Sequence, residues 1–145
     1  LDRVTDVRNF GAVARSAECM GAQAILIPAK GSARIGGDAV KASAGALHHI
    51  PVCREENLKQ TIQYLRSSGV RVVACTEKSE QPSYETDLSG PIALLMGSEE
   101  DGISPEYLKL TDAQVGIPMR GNIASLNVSV AASVFLYEVN RQRKQ

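Results

Sequence analysis

Apolar positions along this 145-residue chain change period from stretch to stretch, and each change marks an element. Phe10, Val13, Ala17 and Met20 recur at i, i+3, i+7 and i+10, which predicts an amphipathic helix closed by Gly21. The stretch before it, residues 1–7, partly alternates and is compatible with a strand, and Asn9 stands where a helix cap is expected. Ala24-Ile25-Leu26-Ile27-Pro28 reads as a short buried strand, so the opening predicts a βαβ unit and a parallel sheet. Residues 38–46 are Ala-rich and helical, and residues 50–52 form a brief strand. Leu58, Ile62 and Leu65 predict a helix over 57–67, ended by Gly69. Residues 70–75 and 91–96 are strong strands separated by a polar loop. Ser104-Pro105-Glu106 combines a cap with proline at the first helical position, for a helix reaching about Leu110. Residues 115–117 make a last strand, and a final helix runs from Leu126 or Asn127 to about Gln142.

That last helix carries two apolar stripes. Val128, Ala132, Phe135 and Val139 form one, and Val130, Val134 and Tyr137 form another. One stripe suffices to dock a helix on its own domain, so the second predicts either a partner helix, most simply in a homodimer, or a central helix covered within the chain. The repeated strand-then-helix order predicts an open α/β domain whose ligand sits at the carboxyl ends of the strands, where Gly97 and Gly121 fall.

Composition narrows the function. With 43% hydrophobic residues the chain fits one domain with a real core. Lysine plus arginine and aspartate plus glutamate both number 16, so the net charge is zero and any nucleic-acid contact needs a local basic patch. Arg3, Arg8, Arg15, Lys30, Arg34, Lys41, Arg120, Arg141, Arg143 and Lys144 are the candidates, against an ordinary solvated surface; the 31–37 loop is equally a phosphate contact or plain surface. Cys19, Cys53 and Cys75 lack paired metal spacing and read as reduced core thiols of a cytoplasmic protein. His48 and His49 are adjacent and diverge on any regular element, which argues against joint ligation. No apolar run reaches membrane-spanning length. No G-x-G-x-x-G follows a strand and no P-loop is present, so an oxidoreductase or phosphotransferase of those types lacks its phosphate cradle.

Three blocks carry the candidate chemistry. The first is Leu1-Asp2-Arg3-Val4-Thr5-Asp6-Val7-Arg8-Asn9-Phe10-Gly11-Ala12-Val13-Ala14-Arg15-Ser16-Ala17. The second is Leu94-Leu95-Met96-Gly97-Ser98-Glu99-Glu100-Asp101-Gly102-Ile103-Ser104. The third is Ile117-Pro118-Met119-Arg120-Gly121-Asn122-Ile123-Ala124-Ser125-Leu126-Asn127-Val128-Ser129-Val130, a loop running into a small-residue helix with polar groups in its first turn. In this order the blocks resemble the three motifs of the SpoU (TrmH-like) family of RNA 2′-O-ribose methyltransferases, a branch of the SPOUT superfamily.

The resemblance implies a mostly parallel open sheet with helices on both faces and a C-terminal deep trefoil knot built from about residues 76–127. It implies S-adenosylmethionine as methyl donor, held by Thr76, Met96, Gly97, Ile117, Met119, Ser125 and Leu126, with no metal. Catalytic positions carry over to Asn9, Arg15, Glu99, Ser125 and Asn127. Residues 1–145 are then one catalytic domain, with the RNA-binding domain of relatives expected upstream and outside this chain. The resemblance further implies an RNA substrate, with ribosomal RNA ahead of transfer RNA, and a homodimer formed through the C-terminal helix. Arg15 faces away from the apolar stripe of its helix, and its planar fork suits a phosphate next to the target ribose. The high pKa of arginine puts orientation ahead of general-base action. Asn9 is alternatively a helix cap, and Glu99 alternatively satisfies loop amides. Relatives often have glycine after the glutamate, whereas Glu100-Asp101 here adds negative charge beside an RNA site. The alternative function is an RNA-binding module or accessory subunit that keeps the cofactor fold without catalysis.

Overall fold

The computed structural model describes residues 1–143; Lys144 of the candidate basic tail lies outside them. Five short strands, β1 (Ile25–Pro28), β2 (Val52–Glu55), β3 (Arg71–Cys75), β4 (Ile92–Met96) and β5 (Ala113–Val115), pair in parallel throughout, as β1-β2 and as β4-β3-β5. The first residues lie between these two sheets. The Leu1 nitrogen donates to the Leu26 carbonyl at 2.7 Å, and the Asp2 amide donates to the Met96 carbonyl at 2.7 Å. An apolar slot of about 720 Å³ runs between the β1 and β4 edges, with Leu1 in its lining.

Helices cover both faces. Alternate residues of β3 point opposite ways, so Val73 and Cys75 join one core while Val72 and Ala74 join the other. The larger core takes in α1 (Val7–Cys19), α2 (Gly37–Ala42) and α5 (Val128–Gln142), centred on Phe10, Val13, Ala17, Ala132 and Phe135. The smaller takes in α3 (Leu58–Ser67) and α4 (Pro105–Leu108) through Leu58, Ile62, Tyr107 and Leu108. A strand buried on both faces needs an unbroken apolar run, and β3 has one. Helices α1 and α2 approach so closely that a Cβ on Gly11 would stand 2.5 Å from the Ala42 Cβ.

Several sequence expectations are corrected. Residues 1–7 form no strand, so the βαβ unit is β1-α2-β2, one element later than expected. Asn9 is not the cap of α1: Asp6 is, its side chain accepting from the Asn9 amide at 2.8 Å. Asn57 does cap α3, but Ser104 makes no side-chain capping bond to the short α4. The helix expected over 38–46 breaks after Ala42 into a turn and a 3-10 segment, Ala46–His48. Of the three cysteines only Cys75 is in the core; Cys19 is exposed and Cys53 half-buried. The two stripes of α5 are as expected: Val128, Ala132, Phe135 and Val139 are buried, while Val130, Val134 and Tyr137 are 49%, 38% and 60% exposed. No helix is long and apolar enough to cross a membrane among the described residues.

Candidate functional site

Three chain segments meet at the carboxyl ends of β3, β4 and β5, where an open parallel sheet presents its ligand crevice. Strand β4 ends at Met96, and the chain folds back through a turn closed by the Ser98 amide on Gly102 O (3.2 Å) and the Gly102 amide on Ser98 O (3.0 Å). Only glycine fits at 97, because a Cβ there would lie 2.1 Å from the Gly102 carbonyl carbon and 2.3 Å from the Ile103 nitrogen. The fold-back leaves Glu99 exposed at the tip of the turn.

Asn127 caps α5, its Oδ1 accepting from the Ser129 and Val130 amides. Its Nδ2 donates to Glu99 Oε1 at 2.5 Å and to Asn9 Oδ1 at 3.0 Å, while Asn9 Nδ2 donates to Glu99 Oε2 at 3.1 Å. The Val128 amide adds a donor to Glu99 Oε1 at 3.3 Å. The first, second and third sequence blocks are thereby joined through one carboxylate. Asp6 caps the helix, so the Asn9 side chain, two residues inside α1, is free for this contact.

Beside the cluster opens a cleft of about 290 Å³. All seven expected cofactor positions line it: Thr76, Met96, Gly97, Ile117, Met119, Ser125 and Leu126. Glu99, Ser125 and Asn127 line it too, and Asn9 stands at its rim through the bonds above. Arg15 does not line it. Six residues beyond Asn9, it is about 9 Å further along the helix and about 240° round, on the exposed side with Arg8. Sequence reasoning missed Ala131 and Phe135, which line the cleft from α5; Phe135 was read only as core, and Ala131 falls on neither apolar stripe. It also missed Asp2, and it read Arg3 only as a candidate for a basic patch. Asp2 is 2% exposed and accepts from the Ser104 amide at 2.7 Å; Arg3 bonds to Asp101 and Gly102. Two charges opening an apolar strand-like stretch were the available signal.

Cys75 lines the cleft, but burial pushes its thiol far above the usual range, so it is a neutral thiol and no nucleophile. Burial opposes the charge of Arg3, yet Asp2 and then Asp101 raise its pKa further. No group of three or more side chains suited to a metal occurs among the described residues.

The fold and cleft define a class: a parallel α/β domain with a nucleoside-sized crevice of mixed polar and apolar lining and an amide–carboxylate cluster at its mouth. The chain belongs to the SpoU rRNA methylase family, whose model matches residues 1–137. It is 38% identical over 143 residues to the 23S rRNA (guanosine-2′-O-)-methyltransferase RlmB of Yersinia pestis, covering 99% of this chain and 58% of that one. The RlmB of Ralstonia nicotianae is 41% identical, with 99% and 57% covered. The chain thus spans little more than half the length of these relatives. Among solved structures, an AdoMet-bound rRNA methyltransferase from Sinorhizobium meliloti superposes with a TM-score of 0.90 at 32% identity, over 100% of this chain and 56% of that one. A putative TrmH-family RNA methyltransferase from Porphyromonas gingivalis gives 0.89 at 33% identity, over 98% and 58%.

Proposed function

We propose that residues 1–145 are the catalytic domain of an enzyme that transfers a methyl group from S-adenosylmethionine to a ribose 2′-hydroxyl of ribosomal RNA. The observation that carries this reading is the Asn9–Glu99–Asn127 cluster at the mouth of the cleft, which unites the three family motifs on one carboxylate. An rRNA substrate places the reaction in the cytoplasm.

The lining fits the donor. Ile117, Met119, Leu126 and Phe135 offer apolar surface for a base and a thioether chain, and Thr76, Ser98 and Ser125 offer hydroxyls. Among the described hydrogen bonds none involves backbone groups of residues 117–126, leaving donors and acceptors of the kind an adenine edge and ribose require. When bound, S-adenosylmethionine supplies a methyl already activated by its positive sulfur. The protein's share is alignment, which lowers barriers by ~7–11 kcal/mol in favourable cases, and improvement of a weak alcohol nucleophile. Glu99 serves both tasks: held by donors from Asn9, Asn127 and Val128, its carboxylate has further lone pairs to accept the 2′-hydroxyl proton in a hydrogen bond. Ser125, exposed at the cleft with no partner among the described hydrogen bonds, is placed to bond either substrate.

Arg15 acts on the RNA phosphate. Because it stands off its own cleft, it serves the cleft of a second copy, in a homodimer formed through the exposed Val130–Val134–Tyr137 stripe. A C-terminal trefoil knot is part of the reading. It is supported by the way the chain after β5 lies against the 79–83 loop, with the Gly116 amide on Gln81 O at 2.8 Å and the Ser83 amide on Gly116 O at 3.0 Å. It is supported too by Gln142, whose side chain holds Thr86 and Leu88.

Calorimetry with S-adenosylmethionine, followed by transfer of labelled methyl to ribosomal RNA and mapping of the modified ribose, tests the function. Failure to bind the donor refutes it, and binding without transfer to any RNA favours the non-catalytic module. A monomer by light scattering at working concentration refutes the shared site.

A further inference from the structure

We infer that Arg3, paired with Asp101, is a positioning residue for Glu99, and that Arg3 also cancels the unfavourable charge of Asp101 at the RNA side of the cleft. The inference rests on the cleft being the methyl-transfer site.

The backbone gives the first indication. Arg3 has φ +57°, in the left-handed region that residues with side chains seldom adopt, so its conformation is held by its surroundings. What holds it is the 97–104 segment together with Asp2. Arg3 Nη1 donates to Asp101 Oδ2 at 3.0 Å, Nη2 to the Gly102 carbonyl at 3.3 Å, and Nε to Asp2 Oδ1 at 3.2 Å. The planar fork is used on three acceptors at once, which an ammonium would not reproduce.

Asp2 completes the grip. Its amide donates to Met96 O, just before the turn, and its buried carboxylate accepts from the Ser104 amide, just after it. The turn that carries Glu99 is therefore held at both ends by Asp2 and in the middle by Arg3. On the opposite side the Glu99 carboxylate is held by Asn9, Asn127 and Val128. The N-terminal segment thus fixes the backbone under Glu99 while the two asparagines fix its side chain, and only three residues separate Arg3 from the start of α1.

Charge supplies the second role. Glu99, Glu100 and Asp101 are three consecutive exposed acids at a cleft expected to face RNA. The Arg3 guanidinium neutralises one of them at 3.0 Å and lowers the repulsion of phosphate. Asp101 is 65% exposed, so the pair is screened and its effect modest.

The test uses the full-length protein with Arg3→Gly, Arg3→Lys, Asp101→Asn and the Arg3→Gly/Asp101→Asn double variant. Glycine accepts the left-handed conformation, so loss of folding is not the expected result. Arg3→Gly and Asp101→Asn should each lower kcat by about three- to tenfold with donor affinity within about twofold of wild type. The double variant should be no slower than the slower single one, because both remove one interaction. Arg3→Lys should not restore kcat, since it lacks the fork. RNA KM should rise in Arg3→Gly and not in Asp101→Asn, which removes the negative charge itself. Wild-type kcat in Arg3→Gly, additive losses, full rescue by lysine, or a kcat loss that tracks a lowered melting temperature overturns the clamp. A wild-type protein that neither binds donor nor transfers methyl overturns the functional reading, and the clamp with it.

Discussion

The two loops that form the walls of the cleft are built in opposite ways. Residues 97–104 are braced: the turn closes on itself through Ser98 and Gly102, Asp2 and Arg3 grip it from one side, and Asn9 and Asn127 hold Glu99 from the other. Residues 117–126 are not. Among the described hydrogen bonds none involves them, residues 120–127 are all exposed, and Ile123 and Leu126 present 77% and 38% of their surface to solvent. One wall is cross-linked by hydrogen bonds, while the other has backbone groups without partners among the described hydrogen bonds and apolar side chains open to solvent. On the proposed reading, the braced wall carries the carboxylate and the unbraced wall meets the nucleoside.

The sharpest way to break that contrast is a matched pair of glycine substitutions. Gly97→Ala forces a methyl into the Gly102–Ile103 backbone and should cost about 3 kcal/mol of stability and at least ~100-fold in donor affinity. Gly121→Ala, with nothing within 4 Å of the new Cβ, should leave melting temperature and affinity nearly unchanged. Equal effects from the two would erase the distinction. Next in size, Glu99→Ala should lower kcat by about 100-fold with the fold intact, since the carboxylate organises the cluster but lies outside the core. Smaller still is the change in amide exchange on donor binding: protection should rise in 117–126 and scarcely alter in 97–104, and the reverse pattern would contradict the assignment of the two walls.

The smallest effect lies away from both walls. Glu138 is buried on α5, and bonds from Arg141 hold its carboxyl below the usual range, aided by Gln142 and opposed by burial. A carboxyl whose folded pKa is depressed contributes stability that is present above its unfolded value and lost as pH falls through the folded one. The melting temperature of wild type should therefore fall a few degrees further than that of Glu138→Gln between pH 6 and pH 3. The methyl-donor affinity of the two proteins should differ little.

Much of this was legible along the chain. The burial of Phe10, Val13 and Ala17 and the two apolar stripes of α5 follow from spacing, because a 3.6-residue period decides which side chains share a face; which stripe would be covered did not follow. The seven positions expected to hold a cofactor do gather on one cleft, since loops after parallel strands emerge at the same end of a sheet. Asp6 was harder. Asn9 and Asp6 are both good caps, and the choice went to the residue that let the first turn of α1 form while Asn9 reached its neighbours on other segments. Arg15 shows the same limit, because its face could be predicted but not what that face meets.

Local order thus determined the elements, their inner and outer faces, the motifs and the end of the sheet at which they would cluster. Tertiary structure alone decided that Leu1 and Asp2 lie between the two sheets, that Arg3 grips a carboxylate 98 residues away, and that Asn9 meets Glu99 and Asn127 at separations of 90 and 118 residues. The reason is physical: periodicity is set by backbone geometry and needs only neighbours in sequence. A polar group loses its water on folding and must find a partner wherever the packed chain brings one, and nothing in local spacing names that partner.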